Sequence, residues 1–386
     1  MKRSLGLSLL LGSSLILLNL VACDDDEPAT PTDGSADATG DTAKPDAVSD
    51  ASPTPDLASD AGSDAVASDG GVADATVDDG GSADAADGGP VLTTAQARGK
   101  YIVNVVAGCP ECHTPRLQDG SFDMTKFMAG ESGPGCTFAG PTAGDCVHPR
   151  NLTNDATGLK NRTDDDIKKM FMHGIRPAAT GDEPLFPVMP YYVFANMTDA
   201  DADAIVAYLR TLPAVHNEIP KRSAFFDIQQ PAPALTLAKI PSPLPDYPQQ
   251  AAALRGKYLA TQAGFCVECH SKHLMPGPGV TTVLDENKLF QGGEDFSGIL
   301  GPGFTMPIVS KNLTSDMTTG LGMWTFEQVV NVLKKGVDRD NKGICPPMAA
   351  GMAGYGNLAD GDLTDIVHYV KSLPPAVNLI EDKCAL

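Results

Sequence analysis

The spacing of apolar and polar positions divides the 386-residue chain into three stretches of different character. Lys2 and Arg3 lead into an apolar run from Leu5 to Leu18, which is the layout of a removable export signal. Residues 24–90 are almost entirely Asp, Ala, Ser, Gly, Thr and Pro. With so few large apolar groups they cannot offset chain entropy, and a disordered segment is expected. Beyond Pro90 the pattern changes. Ala95 to Ala107 and Ala251 to Ala263 have helical spacing among good helix formers, and a Tyr-bearing helix closes each half. The folded part is therefore expected to be all-α.

Charge sharpens this division. The 28 Lys and Arg face 49 Asp and Glu, and a chain of net charge −21 repels phosphate backbones, which argues against a nucleic-acid partner. Eighteen acids and one lysine fall in residues 24–90, so the acidity belongs mostly to that segment. The ending Leu20-Val21-Ala22-Cys23 resembles the bacterial lipoprotein signal. That resemblance implies a signal peptide over 1–22, lipid on Cys23, and a tether over 23–90 anchored to a bacterial membrane, facing the periplasm or cell surface. An ordinary secretory signal with an incidental cysteine is the alternative. A flexible chain of that length spans about 45 Å, more where its aspartates repel. Aromatic residues make up only 6% with one Trp, which suggests that something besides side chains fills the cores.

The folded part repeats itself. Arg98-Gly99-Lys100-Tyr101 recurs as Arg255-Gly256-Lys257-Tyr258, and Cys109-Pro110-Glu111-Cys112-His113 as Cys266-Val267-Glu268-Cys269-His270, both offset by 157. Asn151-Leu152-Thr153 recurs at Asn312-Leu313-Thr314, offset by 161. The repeat places two domains at 91–220 and 245–386, joined by a Pro-rich connector over 221–244. In each Cys-x-x-Cys-His motif the two thiols have the spacing to form thioethers with one haem while the adjacent His reaches its iron. A thioredoxin-type dithiol would need a strand before the motif, and a helical segment precedes each copy here. Structural zinc wants four ligands, whereas each half offers one obvious group of three.

With these motifs the chain resembles the class I cytochromes c, in particular the dihaem cytochrome c proteins and subunits that serve bacterial periplasmic dehydrogenases. The resemblance rests on both attachment motifs, on Asn-Leu-Thr followed by Thr157-Gly158-Leu159 and Thr319-Gly320-Leu321, and on Met-Pro or Pro-Met before the final helix. It implies two tandem class I domains, each a small helical bundle around one covalent haem c, with first and last helices crossing. Gly99 and Gly256 would let Tyr208 and Tyr369 lie close against them. The comparison also suggests that Asn151 and Asn312 either bond the haem propionates or fix the adjoining loop.

A thioether opposite each His would complete the iron and raise its potential. Met189 stands between prolines 76 residues after His113, and Met348 follows Pro346-Pro347 78 residues after His270, with Met352 its main rival. His148, His173, His216, His273 and His368 are the other potential ligands. Trp324 either lines the second haem or packs. Of nine cysteines, one is assigned to lipid and four to haem; the remaining Cys136, Cys146, Cys345 and Cys384 suggest two disulfides, with local pairing the simplest connectivity. Cys345 as an iron ligand or redox switch is the rival.

These expectations converge on electron transfer, from a periplasmic dehydrogenase to an oxidase or another carrier, with redox proteins and the membrane as partners. A carrier with two closed irons needs no catalytic residue. The alternative is a dihaem oxidoreductase, thiosulfate dehydrogenase-like or peroxidase-like, which needs one exchangeable iron position.

Overall fold

The first helix, α1 (Thr94–Tyr101), begins where Thr93 and Gln96 cap each other reciprocally: Thr93 Oγ1 accepts from Gln96 N at 3.2 Å and Gln96 Oε1 from Thr93 N at 2.9 Å. In this computed structural model the described residues are 91–381 without 134–137, 140–143, 275–282, 297–307, 346–347 and 349–354. The export signal, Cys23, the tether, Cys136, Cys384 and Met352 lie outside them. All described residues belong to one compact unit.

The first half continues through α2 (Pro110–His113), α3 (Asp164–His173), α4 (Tyr191–Phe194) and α5 (Asp199–Leu209). The second half has α6 (Gln250–Tyr258), α7 (Cys266–Cys269), α8 (Phe326–Lys335) and α9 (Asp360–Lys371). Two-residue antiparallel pairs join Phe138–Ala139 to Cys146–Val147, Ile175–Arg176 to Glu183–Pro184, and His273–Leu274 to Val283–Leu284. The described residues are thus mostly helical. Helices do precede both motifs, but each ends in a π-helical turn, over Ile102–Val106 and Leu259–Ala263. That wider turn is invisible to a 3.6-residue pattern. α3 and α8 start from reciprocal Thr caps at Thr163 and Thr325 and stop at left-handed Gly174 and Gly336, with φ of 65° and 64°.

Within each half the first and last helices cross at a glycine. A Cβ on Gly99 would lie 1.9 Å from the Ala204 carbonyl oxygen and 2.9 Å from Tyr208 Cβ, so that contact involves the tyrosine only in part. On Gly256 the three nearest atoms all belong to the backbone of Asp365 and Ile366, the closest at 1.9 Å. At both crossings the closest approach is thus to helix backbone. Arg98 and Arg255, each preceding its glycine, clamp Asp201 at 2.8 and 3.0 Å and Asp365 at 2.7 and 3.0 Å through paired bonds.

The two halves meet through reciprocal contacts. Tyr101 donates to Asp362 Oδ2 at 2.8 Å and accepts from Ala359 N at 3.2 Å. Its repeat counterpart Tyr258 donates to Asp201 Oδ2 at 2.6 Å and accepts from Thr198 N at 3.3 Å. Asp201 and Asp362 are separated by the same 161 positions as Thr198 and Ala359. The interface therefore uses one patch twice, as a symmetric dimer does. Buried against Asp201, the Tyr258 phenol is pushed up to about 12. The connector is packed as well: Leu235 N reaches Tyr192 O at 2.9 Å, Ala232 N reaches the Tyr191 hydroxyl at 2.8 Å, and Leu244 N reaches Ser372 O at 3.1 Å.

Candidate functional site

Each attachment motif is a single helical turn directly after a π-turn, which sets its cysteines and histidine on a short rigid segment. Cys109, Cys112, Cys266 and Cys269 are all free thiols, although each pair is only three residues apart. Burial pushes Cys109 up to about 12 and Cys266 up to about 11, the reverse of an activated redox dithiol. Among the described residues no three His, Cys, Asp or Glu side chains are arranged to hold a bare metal ion.

The two histidines are fixed alike. His113 Nδ1 bonds Arg150 O at 2.7 Å, and His270 Nδ1 bonds Lys311 O at 2.8 Å. Donation from Nδ1 to a carbonyl selects the tautomer whose Nε2 lone pair is available to iron. Burial lowers both imidazoles, which favours the neutral form a ligand needs. Two free thiols and a neutral, carbonyl-anchored imidazole on one turn fit a covalent haem in either half.

The loop behind each histidine is locked by its asparagine. Asn151 Nδ2 donates to Thr157 Oγ1 and Val215 O, both at 2.9 Å, and its Oδ1 accepts from Thr153 N at 2.9 Å and Thr153 Oγ1 at 2.8 Å. Asn312 repeats the pattern with Thr319 at 3.1 Å, Ala376 at 2.8 Å, and Thr314 at 3.0 and 2.8 Å. Both amides are occupied in holding the loop. Of the two roles suggested for them, the loop-fixing one matches these contacts. Asp155 braces the same loop: hydrogen bonds from the Thr157 hydroxyl and amide hold its carboxyl at about 2. Its contribution is complete above the ordinary aspartate pKa of about 4 and is lost as pH falls through about 2. Asp155→Asn is accordingly expected to remove part of the stability at neutral pH and to flatten the acid limb of a thermal-melt profile between about pH 4 and 2.

Met189 is half-buried against the core between buried Pro187 and α4. Met348 is half-buried in a turn. Tyr208 is buried and its hydroxyl accepts from Asn104 Nδ2 at 3.2 Å; Tyr369 is fully buried and donates to Pro241 O at 2.9 Å. Four of the other histidines have partners away from these motifs or lie at the surface, and the fifth, His273, pairs with Glu268 of the second motif. His148 Nε2 is 3.1 Å from Cys146 Sγ, His216 faces Asp155 at 3.2 Å, His368 shares a 3.0 Å bond with the Tyr247 hydroxyl, and His173 is exposed at the end of α3. Trp324 packs partly against the core with Arg339 5.7 Å from its ring centre. Cys146 and Cys345 are disulfide-bonded, while their expected partners lie outside the described residues.

A polar cluster at the second motif was not anticipated. Glu268, between Cys266 and Cys269, accepts from the Tyr192 hydroxyl of α4 at 2.5 Å and lies 2.9 Å from His273 Nε2. Glu294 is 3.4 Å from His273 Nδ1, and Lys272 is 3.2 Å from Glu294. Burial opposes a charge on His273, but the bonds to Glu268 and Glu294 outweigh it and raise the imidazole to about 9. The one available signal was the Glu at the same place in both motifs. Tyr355, after the Met348 loop, is pushed well above its ordinary value by burial, with Cys266, Cys269 and the Glu111 carboxylate nearby.

The cytochrome c family model matches residues 96–213, the stretch that holds the first motif, its locked loop and Met189. Residues 96–213 are a cytochrome c domain. The similarity to known proteins extends beyond that cytochrome c domain. The chain is 28% identical over 287 residues to the fructose dehydrogenase cytochrome subunit of Gluconobacter japonicus, covering 72% of this chain and 52% of that one. It is 27% identical over 291 residues to the gluconate 2-dehydrogenase cytochrome c subunit of Pantoea cypripedii, with 72% and 59% covered. It is 27% identical over 289 residues to the cytochrome c subunit of the quinone alcohol dehydrogenase of Gluconobacter oxydans (strain 621H), with 72% and 54% covered. The chain thus spans just over half the length of these relatives, and is homologous to cytochrome c subunits of bacterial dehydrogenases.

Proposed function

We propose that this protein is a dihaem c-type cytochrome built of two tandem class I domains over 91–220 and 245–386. It takes electrons from a dehydrogenase and passes them to an oxidase or another carrier. The observation that carries the reading is the repetition of one local geometry: each Cys-x-x-Cys-His turn follows a π-turn, and each histidine is anchored through Nδ1 to the residue before an Asn-Leu-Thr loop. Haem c supplies one-electron iron chemistry when bound, at a potential set by its axial ligands, burial and neighbouring charge. Cys109 and Cys112 would hold one group with His113 and Met189 on its iron; Cys266 and Cys269 would hold the other with His270 and Met348. Tyr355 lies three residues after Met352, the spacing of Tyr192 from Met189, and this keeps Met352 as the competing ligand.

Export, lipidation at Cys23 and the acidic tether would hold the carrier at a bacterial membrane, facing the periplasm or cell surface. Cys136–Cys146 and Cys345–Cys384 are the proposed disulfides, the second tying the C-terminus to the Met348 loop. Absorption and magnetic spectra of the ferric protein are expected to contain two low-spin His/Met components with the weak sulfur-to-iron band at long wavelength. Met189→Ala should abolish that band for one component and leave the other; Met348→Ala and Met352→Ala decide the second ligand. A high-spin component in the unaltered protein would overturn the carrier reading in favour of a dihaem oxidoreductase.

A further inference from the structure

The two attachment motifs are neighbours, with Cys112 close enough to Cys269 to act on it electrostatically, yet they lie in unequal surroundings. In the first motif Glu111 pairs with Arg116 at 3.4 Å, and that arginine is half-exposed. In the second, Glu268 is mostly buried and both its oxygens are engaged, one by His273 and the other by Tyr192. Arg116 and His273 are repeat counterparts, offset by 157. Tyr192 is almost fully buried and comes from the other half, three residues after Met189. The bond therefore joins the helix behind one iron's methionine to the residue between the other haem's two cysteines.

We infer that the Tyr192–Glu268 hydrogen bond is a positioning contact by which the first half sets the reduction potential of the second haem. The inference rests on the two-haem reading and adds to it a difference between the haems. A carboxylate next to a haem favours the ferric form, whose net charge is more positive, and so lowers the potential; a hydrogen bond to that carboxylate disperses its charge and moderates the effect. Two conservative changes then act in opposite directions. Tyr192→Phe removes the donor and lowers the second haem's potential. Glu268→Gln removes the charge in an isosteric side chain and raises it. A merely structural role for the bond would not give opposite signs.

The experiment is a spectrally followed redox titration of the full-length protein and of Tyr192→Phe, Glu268→Gln and Glu111→Gln, after a mass measurement of haem content on each. Met189→Ala assigns the first component by the loss of its long-wavelength band. The expected result is a downward shift of the second component in Tyr192→Phe, an upward shift in Glu268→Gln, and a smaller shift of that component in Glu111→Gln, whose carboxylate is more remote from Cys266 and Cys269 but shares Tyr355 as a neighbour with them. Two components of which neither moves, or a second component that moves the same way in both variants, would overturn the inference while leaving two haems in place. A single haem with a single component in the unaltered protein would overturn the two-haem reading and the inference with it.

Discussion

A chain carrying Cys109→Ala and Cys112→Ala should be isolated with one covalent haem fewer than the unaltered protein and about half its absorbance. The same pair of changes at Cys266 and Cys269 should remove the other. Each cysteine pair lies on one turn with its own carbonyl-anchored histidine, and no described side chain links one motif's thiols to the other's histidine. Attachment in one half therefore does not require attachment in the other. The halves do share an interface through Tyr101, Tyr258, Asp201 and Asp362, so the surviving haem should melt from its site at a lower temperature. Intact mass and the absorption spectrum check both outcomes. If one double variant lost both haems while its circular dichroism stayed helical, the two attachments would not be independent.

The second large effect is expected at Gly256. An alanine there would place Cβ 1.9 Å from the Asp365 carbonyl oxygen and 2.3 Å from its carbonyl carbon, atoms of a helix backbone that cannot rotate away. α6 and α9 must separate, and the Arg255–Asp365 clamp must loosen with them. Overpacking of this kind costs about 1–3 kcal/mol and occasionally more. A contact against backbone belongs at or beyond the upper end. Gly99→Ala, facing Ala204, should cost about as much. Thermal melts of the two variants measure this, with Gly361→Ala as the control, since nothing lies within 4 Å of a Cβ at Gly361. An unchanged melting temperature in Gly256→Ala would show that the crossing can spread without loss.

Much of this architecture was legible in the sequence because covalent haem attachment demands a fixed residue order. Two copies of Cys-x-x-Cys-His at one offset gave the motifs, and the Arg-Gly-Lys-Tyr repeat marked the helices that cross. The role of that repeat was only half legible. Its glycine suggested close packing, but nothing in the periodicity told whether a ring or a backbone would fill the space. Its arginine and tyrosine carried no visible purpose until the partners Asp201, Asp362 and Asp365 appeared 57 to 261 residues away in the chain. The Tyr192–Glu268 bond was illegible for the same reason: a contact across 76 residues leaves no local pattern. The π-turns escaped because a single widened turn changes spacing by one residue, within the tolerance of helical periodicity.

The proposal of two covalent haems in one exported chain is tested most directly by the intact mass of the purified mature protein. The expected value is that of the processed polypeptide with the lipid proposed on Cys23 plus two haem groups, the haems resistant to acid extraction. A mass equal to the bare polypeptide, or to the polypeptide with one haem, from cells able to mature c-type cytochromes would contradict it.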